Sequence, residues 1–173
     1  MGNCNNKQKI EGAGCFFTDG QYVLAGYQPY KKKISGIGGK RNEGESFHDT
    51  ALRETLEELF EMHIQPALII DELKMIPFRF VYSNSGYTNI IYTFDDLLQF
   101  LKIINKHAYK SRVYADFPLT IGDLISKRLL IPDCEISDLI LLPLIEKLAI
   151  DPLFVKDITE IKSVITTPVK LFL

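Results

Sequence analysis

The sequence predicts a single α/β domain in which helices cover a mixed β-sheet, an α/β/α sandwich. Three observations support this class: strand-like runs come first along the chain, a helical segment lies in the middle, and a second helix follows a late strand. A length of 173 residues is enough for one domain with a substantial core. We therefore expect residues 1–9 to form a flexible tail and residues 10–173 to form the domain.

The first two strands are separated by a turn. Residues 10–17 and residues 22–27 are rich in apolar and aromatic side chains, which favours extended structure. Between them, Thr-Asp-Gly-Gln at 18–21 is typical of a tight turn. Residues 28–35 are predicted to form a polar loop, which leads into the glycine-rich sequence Gly-Ile-Gly-Gly at 36–39.

The central helix is predicted from its start signal and its two faces. Ser46 is a suitable N-cap residue and Asp49 follows three positions later, so a helix is expected over residues 47–62. At 100° per residue, three leucines share one side of this helix and four glutamates share the other, so one face can pack while the other holds carboxylates. These residues are Leu52, Leu56 and Leu59, and Glu54, Glu57, Glu58 and Glu61.

The second half of the chain mixes extended and helical patterns. Residues 67–82 and 87–94 are predicted to be extended, with Ser-Asn-Ser-Gly between them. Apolar side chains repeat with helical spacing over residues 95–106, and residues 121–127 are expected to form another helix. The remaining predictions are a late strand within 134–144, a helix from there to about residue 150, and a final strand over 164–173.

One stretch carries polar residues at fixed spacing, in the pattern G-x5-E-x7-R-E-x2-E-E. They are Gly39, Glu45, Arg53, Glu54, Glu57 and Glu58. At ordinary amino-acid usage, a chance match in a chain of this length is on the order of one in 100,000. Carboxylates three and four residues apart on a helix repel each other, and a bound Mg²⁺ or Mn²⁺ would relieve that repulsion. A solvated acidic face is the alternative, but the isolated Glu45, the preceding glycines and the forked Arg53 favour a metal site.

The segment 39–61 resembles the Nudix box, whose family pattern is G-x5-E-x7-R-E-U-x-E-E-x-G-U with U aliphatic. Three positions differ, because Thr55 and Glu61 replace aliphatic residues and Phe60 replaces a glycine. Since phenylalanine does not take a positive φ cheaply, we expect the helix to continue to about Met62 instead of ending at a glycine cap.

The resemblance covers roughly residues 10–150 and implies a Nudix-type sandwich. Within it, the segment 95–131 is longer than the minimal family fold needs and is interpreted as a helical insertion. Such an insertion shapes a substrate pocket or a homodimer contact; a lid over exposed sheet is the alternative.

The resemblance also implies a role for each matching residue. Glu57 and Glu58 would be the main Mg²⁺ or Mn²⁺ ligands, and Glu54 would be a ligand or the general base. Arg53 would orient Glu54, while Glu45 would support Arg53 and the metal shell. The predicted catalytic residues are therefore Glu54, Arg53, Glu57 and Glu58.

Further groups complete the predicted site. The carbonyl of Gly38 or Gly39 could add a backbone metal ligand, because glycine permits close approach. The candidates for an additional acidic residue from a late loop are Glu135 and Asp133, followed by Asp95 and Asp96. Predicted substrate-binding residues are Gly38, Gly39, Lys40 and Tyr27, with Tyr30 and Phe80 as further candidates for base stacking.

The expected reaction is Mg²⁺-dependent hydrolysis of a pyrophosphate bond in a nucleoside diphosphate linked to another group. The sequence Gly-Ile-Gly-Gly-Lys before the box is similar to that of MutT-type enzymes, which favours a nucleoside triphosphate or modified nucleotide. ADP-ribose, dinucleotides, capped RNA and inositol pyrophosphates stay open as alternatives. A Nudix domain that binds a ligand without catalysis is a further alternative, but all four box glutamates are present.

Composition and charge limit the possible partners of the protein and its location in the cell. A net charge of −2 and a pI near 5.9 argue against an extended nucleic-acid surface. The three cysteines show no CxxC pair, and no apolar run is long enough to span a bilayer, so a cytoplasmic enzyme is expected. The start Met-Gly-Asn-Cys resembles a dual acylation signal at Gly2 and Cys4, which would add membrane anchoring; a disordered polar tail is the alternative.

Overall fold

The computed structural model of this chain describes residues 11–144 and 152–166. In this part of the chain, seven strands form one mixed sheet and five helices pack around it, which confirms the predicted α/β class. The strands are β1 (Gly12–Thr18), β2 (Tyr22–Gln28), β3 (Lys33–Ser35), β4 (Ile37–Lys40), β5 (Phe80–Asn84), β6 (Tyr87–Thr93) and β7 (Asp138–Pro143). The helices are α1 (Phe47–Phe60), α2 (Ala67–Lys74), α3 (Phe94–Lys106), α4 (Ile121–Ser126) and α5 (Pro152–Thr166).

Strands β1 and β2 pair at one end and diverge at the other, which leaves a wedge-shaped gap in the sheet. These strands pair at Thr18 and Val23. Farther along, β3 pairs with the end of β2 while β4 pairs with the beginning of β1. The chain over residues 33–40 therefore enters between two diverging strands. On their outer edges, β1 pairs with β6 in parallel and β2 pairs with β7 in antiparallel orientation.

Hydrophobic cores lie on both faces of the sheet. On one face, Leu52, Leu56 and Leu59 of α1 are fully buried, as the helical spacing predicted. Complete burial of each leucine contributes about 1.5–3 kcal/mol. On the other face, Phe154 and Ile158 of α5 pack in a second cluster. The sheet is thus covered by helices on both sides.

Several element predictions need correction. Residues 67–74 form α2 instead of a strand, because Ile69 and Leu73, four positions apart, are both buried on one helix face. The polar loop at 28–35 contains the short strand β3, whose backbone pairs with β2. Residues 164–166 belong to α5 and are not a strand. The remainder of that predicted strand, the predicted helix up to residue 150 and the N-terminal tail lie outside the described residues.

The helices predicted within the segment 95–131 are present as α3 and α4. Their status as an insertion relative to other Nudix domains stays a prediction, as do the homodimer contact and the domain boundaries. Among the described residues, none of the helices is both long and apolar enough to cross a membrane.

Candidate active site

The start of α1 is fixed by its own neighbours in the sequence. The hydroxyl oxygen of Ser46 accepts from the backbone N–H of Asp49 at 3.1 Å, and the Asp49 carboxylate accepts from the Ser46 N–H at 3.3 Å. This is the predicted capping box. Thr50 donates to Glu45 at 3.0 Å, which ties the loop glutamate to the first turn of the helix.

Arg53 holds three carboxylates at once. Its guanidinium donates to Glu45 at 2.8 Å, to Glu54 at 2.7 Å and to Glu57 at 3.0 Å. A further bond of 2.7 Å to the carbonyl of Lys40 joins the helix to the end of β4. Arg53 therefore contacts Glu54, which it was predicted to orient, and Glu45, which was predicted to support it. Its bond to Glu57 was not predicted.

Both oxygens of Glu45 are engaged by neighbouring donors. Burial raises the pKa of this carboxyl, but hydrogen bonds from Arg53, Asn42 and Thr50 outweigh it and lower the pKa to about 2. Glu45 is therefore ionised at any ordinary pH and is occupied with holding Arg53. This geometry favours support of Arg53 over direct metal ligation.

Glu58 is the most deeply buried carboxylate of the box, with a relative exposure of 2%. Its Oε2 accepts from the backbone N–H of Gly38 at 2.7 Å, while its Oε1 is buried and has no hydrogen-bond partner among the described residues. Burial raises its pKa well above the usual range, Glu135 and Glu54 raise it further, and the Gly38 bond opposes both. The solvated acidic face that was the alternative to a metal site does not describe Glu58, because Gly38 of β4 contacts its carboxylate.

The carboxylate of Glu54 lies directly against the backbone of Gly39. A Cβ atom at Gly39 would be 2.3 Å from Glu54 Oε2, so a side chain there would displace the Glu54 carboxylate. Burial raises the pKa of Glu54, and the nearby charges of Glu57 and Glu135 raise it further. The hydrogen bond and the charge of Arg53 lower it, but they do not outweigh the rise. At Gly38, φ is 151° and a Cβ would lie 2.2 Å from the Tyr87 hydroxyl.

The other glutamates of α1 differ in their surroundings. Glu57 accepts from Arg53 through one oxygen and from Gln65 at 3.0 Å through the other. Glu61 lies outside this group, because it follows the helix and pairs with His63 at 3.0 Å.

Among the four acidic candidates from outside the box, Glu135 lies near the box carboxylates, since its charge raises the pKa of both Glu54 and Glu58. Asp133 instead accepts from the Tyr30 hydroxyl at 2.7 Å. Asp96 forms the capping box of α3 with Thr93, and Asp95 belongs to the same first turn. The structure therefore removes Asp95 and Asp96 from the candidate site.

The predicted substrate-binding residues separate into two groups. Gly39 and Lys40 line an open cleft of about 1020 Å³, together with Arg41 and Tyr87. Gly38 borders the neighbouring cavity on the other side of Tyr87. Tyr27 pairs with Ile34 and Asp138 in the sheet and is in the lining of neither cavity. Phe80 packs against the α5 side of the core, and Tyr30 lies near Asp133.

The donor set fits a divalent cation, although the side chains are not arranged as a finished metal centre. Within residues 11–144 and 152–166, no three His, Cys, Asp or Glu side chains are positioned to hold one ion. However, Glu58 Oε1 is a buried carboxylate oxygen without a donor, and Glu54, Glu57 and Glu135 add hard oxygen ligands of the kind that Mg²⁺ and Mn²⁺ prefer. The metal-binding roles of Glu45, Glu54, Glu57, Glu58, Glu135 and Gly39 stay a prediction.

The end of α1 is held by residues that the sequence did not reveal. The helix ends at Phe60, and Glu61 takes the left-handed conformation with φ of 55°, so the predicted extension to Met62 is wrong. Phe60 stays helical because its ring is buried and stacks on Phe117 at 5.5 Å. The last carbonyls of the helix accept bonds from side chains far along the chain. Those donors are Arg128 to Glu58 and Leu59, Ser111 to Phe60, and Tyr109 to Glu61.

The one sequence signal for such an arrangement was the missing glycine of the box. The left-handed cap at Glu61 satisfies the carbonyls of Leu56 and Glu57 only, so the carbonyls that follow need donors from elsewhere. Nothing in the local sequence identifies Arg128 as the donor.

Comparison with known proteins identifies the class that this fold and site define. The family model of the NUDIX domain matches residues 9–110, more than half of the chain. The chain therefore belongs to the Nudix family, as the box predicted. Membership supports hydrolysis of a pyrophosphate bond as the general class of reaction. No curated protein matches the chain in sequence.

A solved structure with a TM-score above 0.5 supports the fold. A Nudix hydrolase from M. smegmatis, RenU, is 16% identical with a TM-score of 0.52, over 92% of this chain and 88% of that one. A NUDIX family hydrolase from Clostridium perfringens is 14% identical with a TM-score of 0.41, over 91% of this chain and 98% of that one.

A bifunctional NMN adenylyltransferase/ADP ribose pyrophosphatase from Francisella tularensis, solved with AMP and a Mn ion, is 14% identical with a TM-score of 0.36. That match covers 50% of this chain and 28% of the bifunctional protein. This chain thus spans just over a quarter of the length of that relative.

Proposed function

We propose that this protein is a Mg²⁺- or Mn²⁺-dependent hydrolase of a pyrophosphate bond in a nucleoside diphosphate linked to another group. A nucleoside triphosphate or modified nucleotide is the proposed substrate class. The observation that carries this proposal is the state of Glu58. Its carboxylate is buried beside Gly38, one oxygen has no donor among the described residues, and two further carboxylates act on it electrostatically.

The electrostatics of the site explain why a cation belongs there. Burying an ionised carboxylate among like charges is strongly unfavourable unless a positive charge compensates it. In this site Arg53 compensates Glu45, Glu54 and Glu57, and it makes no bond to Glu58. A divalent cation held by Glu58, Glu57 and Glu54 would supply the missing charge.

Each residue then has a distinct part in the reaction. When bound, the metal neutralises phosphate oxygens and lowers the pKa of a water molecule. Arg53 fixes the orientation of Glu54 and Glu57, and its bond to the Lys40 carbonyl keeps the glycine-rich strand against the helix. As an alternative to metal ligation, Glu54 is a candidate general base, because burial raises its pKa and so makes the carboxylate more basic.

The proposal is tested by turnover of Glu58→Gln. The purified protein is incubated with Mg²⁺ or Mn²⁺ and a panel of nucleoside triphosphates, ADP-ribose, dinucleotides, capped RNA and inositol pyrophosphates, and phosphate products are measured. Glutamine keeps the size of the side chain but removes its charge, so we expect at least about a hundredfold loss of turnover on the best substrate.

Glu61→Gln is the matched control, because Glu61 is also buried and directly follows α1 but pairs with His63 away from the box. It should keep turnover near that of the wild type. Wild-type turnover in Glu58→Gln would place the active site elsewhere. Absence of turnover by the wild-type protein on every substrate would favour a binding module without catalysis.

A further inference from the structure

Tyr87 of β6 lies across three glycines that belong to two neighbouring strands. Its ring atoms Cδ2 and Cε2 would be 2.8 and 2.9 Å from a Cβ atom at Gly12. Its hydroxyl oxygen would be 2.6 Å from a Cβ atom at Gly14 and 2.2 Å from one at Gly38. The ring therefore extends from β6 across β1 to β4, over backbone that only glycine leaves uncovered.

The glycine pair of β4 separates this ring from the carboxylates of the box. Successive residues of a strand face opposite sides of the sheet. The open side of Gly38 faces Tyr87, and the open side of Gly39 faces Glu54 of α1. Tyr87 shares its face with Ile91, four positions later in β6, which packs in the cluster that contains α5. The strand β4 is thus held between the phenol ring on one face and the box helix on the other.

The strand held in this way supplies the hydrogen-bond donor of Glu58. The backbone N–H of Gly38 donates to Glu58 Oε2 at 2.7 Å, while Oε1 has no partner among the described residues. Glycine has more conformational freedom to lose on folding than any other residue, so a contact that restrains Gly38 also restrains this donor. Burial raises the pKa of Tyr87 well above its usual range, and the charges of Glu58 and Glu54 raise it further, which indicates that the phenol is near both carboxylates.

We propose that Tyr87 is a positioning residue, which fixes the carboxylate of Glu58 by packing against Gly38. The atom that makes this contact is the hydroxyl oxygen of Tyr87, since it is the Tyr87 atom nearest to the open side of Gly38. The contact keeps the bond between Gly38 and Glu58 closed in the metal-free protein. Its consequence for the cation rests on the proposed function, because outer residues that orient a ligand strengthen metal binding by that ligand.

Hydrogen exchange of the Gly38 amide in EDTA tests the positioning without any metal. Tyr87→Phe removes the hydroxyl that contacts Gly38, and Tyr87→Leu removes the ring as well. The amide of Phe17, which is fully buried in β1, reports global unfolding in the same sample. Relative to Phe17, exchange at Gly38 should become at least about threefold faster in Tyr87→Phe and about tenfold faster in Tyr87→Leu, because the local bond opens more often.

Tyr82 supplies the matched controls. It is on the same face of the sheet as Tyr87, because its register partner Asn89 lies two positions further along β6. It packs against the α5 side of the core and bonds to Glu160, and its strand β5 is separated from β4 by β6 and β1. Tyr82→Phe and Tyr82→Leu should therefore leave the relative exchange rate of Gly38 at the wild-type value, even where they lower overall stability.

Titration with Mn²⁺ and kinetics test the consequence for the site. Mn²⁺ should bind at least about threefold more weakly to Tyr87→Phe and about tenfold more weakly to Tyr87→Leu, and as tightly to both Tyr82 variants as to the wild type. At a fixed subsaturating Mn²⁺ concentration, kcat on the best substrate should fall by a similar factor in the Tyr87 variants, with KM within about twofold of the wild type. A raised KM with unchanged kcat would make Tyr87 a substrate contact and overturn the proposal.

The exchange and binding data overturn the proposal in three further cases. These are wild-type relative exchange at Gly38 in both Tyr87 variants, an equal effect of the Tyr82 variants, and unchanged Mn²⁺ affinity in both Tyr87 variants of a protein that binds Mn²⁺. If Tyr87→Leu fails to fold, Tyr87→Phe decides alone, since it loses a single oxygen atom. A wild-type protein that binds no Mn²⁺ and hydrolyses no substrate refutes the proposed function, whereas faster exchange at Gly38 in the Tyr87 variants still supports the positioning of Glu58.

Discussion

The two ends of α1 are built in different ways. At its start, Ser46 and Asp49 cap the helix within a span of four residues. At its end, the carbonyls of four consecutive residues accept bonds from donors that lie 48 to 70 positions later in the chain. The beginning of the box helix is therefore encoded locally. Its end combines a local left-handed cap, in which the N–H groups of Glu61 and Met62 donate to the carbonyls of Glu57 and Leu56, with donors from the segment that contains α3 and α4.

Arg128, a distant donor at the end of α1, also connects two parts of the candidate site. Arg128 donates to the carbonyls of Glu58 and Leu59 at 2.8 and 2.7 Å, and to the carbonyl of Ile136 at 2.8 Å. Ile136 directly follows Glu135, whose charge acts on Glu58. One guanidinium thus holds the backbone of both carboxylate-bearing segments. Its positive charge is also favourable beside the negative end of the helix dipole.

The largest loss of stability is expected for Phe60→Gly, which restores the glycine of the family pattern at the end of α1. Phe60→Gly removes a fully buried ring that stacks on Phe117 and contacts Tyr114. We expect a loss of about 4 kcal/mol in the free energy of unfolding, since large-to-small changes in a core leave a cavity. Denaturant unfolding measures it. A stability equal to that of the wild type would show that the helix end is set locally after all.

Arg128→Ala should destabilise the protein nearly as much, by about 3 kcal/mol, because it leaves three buried carbonyls without their donor. Arg128→Lys should restore little of this stability, since a single ammonium group cannot replace the planar guanidinium and its several donors. Arg112→Ala is the matched control, because Arg112 is exposed on the same segment. If Arg128→Ala and Arg112→Ala unfold at the same denaturant concentration, the long-range cap is refuted.

Ser46→Ala tests the cap at the start of α1, and it should lower the free energy of unfolding by less than Arg128→Ala does. Loss of an N-cap hydroxyl typically reduces stability by about 1 kcal/mol. Thermal unfolding, with Ser126→Ala as an exposed-serine control, measures the difference. A loss larger than that of Arg128→Ala would reverse the comparison between the two ends.

The dependence of stability on pH tests the charge state of Glu58. Burial raises the folded-state pKa of this carboxyl above its unfolded value near 4.5. Folding therefore favours the protonated form, and this group destabilises the metal-free protein increasingly as pH rises above about 4.5. Glu58→Gln lacks that penalty, so its melting temperature in EDTA should exceed that of the wild type at pH 7, and the gain should vanish below pH 4.5. A gain that is independent of pH would contradict the raised pKa.

The sequence predicted the parts of the site that local spacing controls. The three buried leucines follow from helical periodicity, and the contacts of Arg53 follow from fixed positions in the box. The burial of Glu58 could not be predicted in this way, because helical periodicity separates the carboxylate face from the leucine face but does not show that β4 covers part of the carboxylate face. The helix α2 was missed because its short apolar run fits a strand equally well.

The donor Arg128 and the buried, unpartnered atoms of Gln28 and Ser35 could not be predicted from local spacing for a related reason. Their roles depend on which distant segments meet in the fold. Gln28 and Ser35 came from a predicted polar loop, and nothing in their immediate sequence indicates that two of their polar atoms are buried without partners.

Metal binding by Glu58 is the central claim, and calorimetric titration with Mn²⁺ tests it most directly. Wild type, Glu58→Gln and the control Glu61→Gln are compared at pH 7 without substrate. Loss of a carboxylate ligand in a buried site should weaken Mn²⁺ binding in Glu58→Gln by at least about tenfold, while Glu61→Gln binds as tightly as the wild type. Equal affinity for Mn²⁺ in all three proteins would contradict the account.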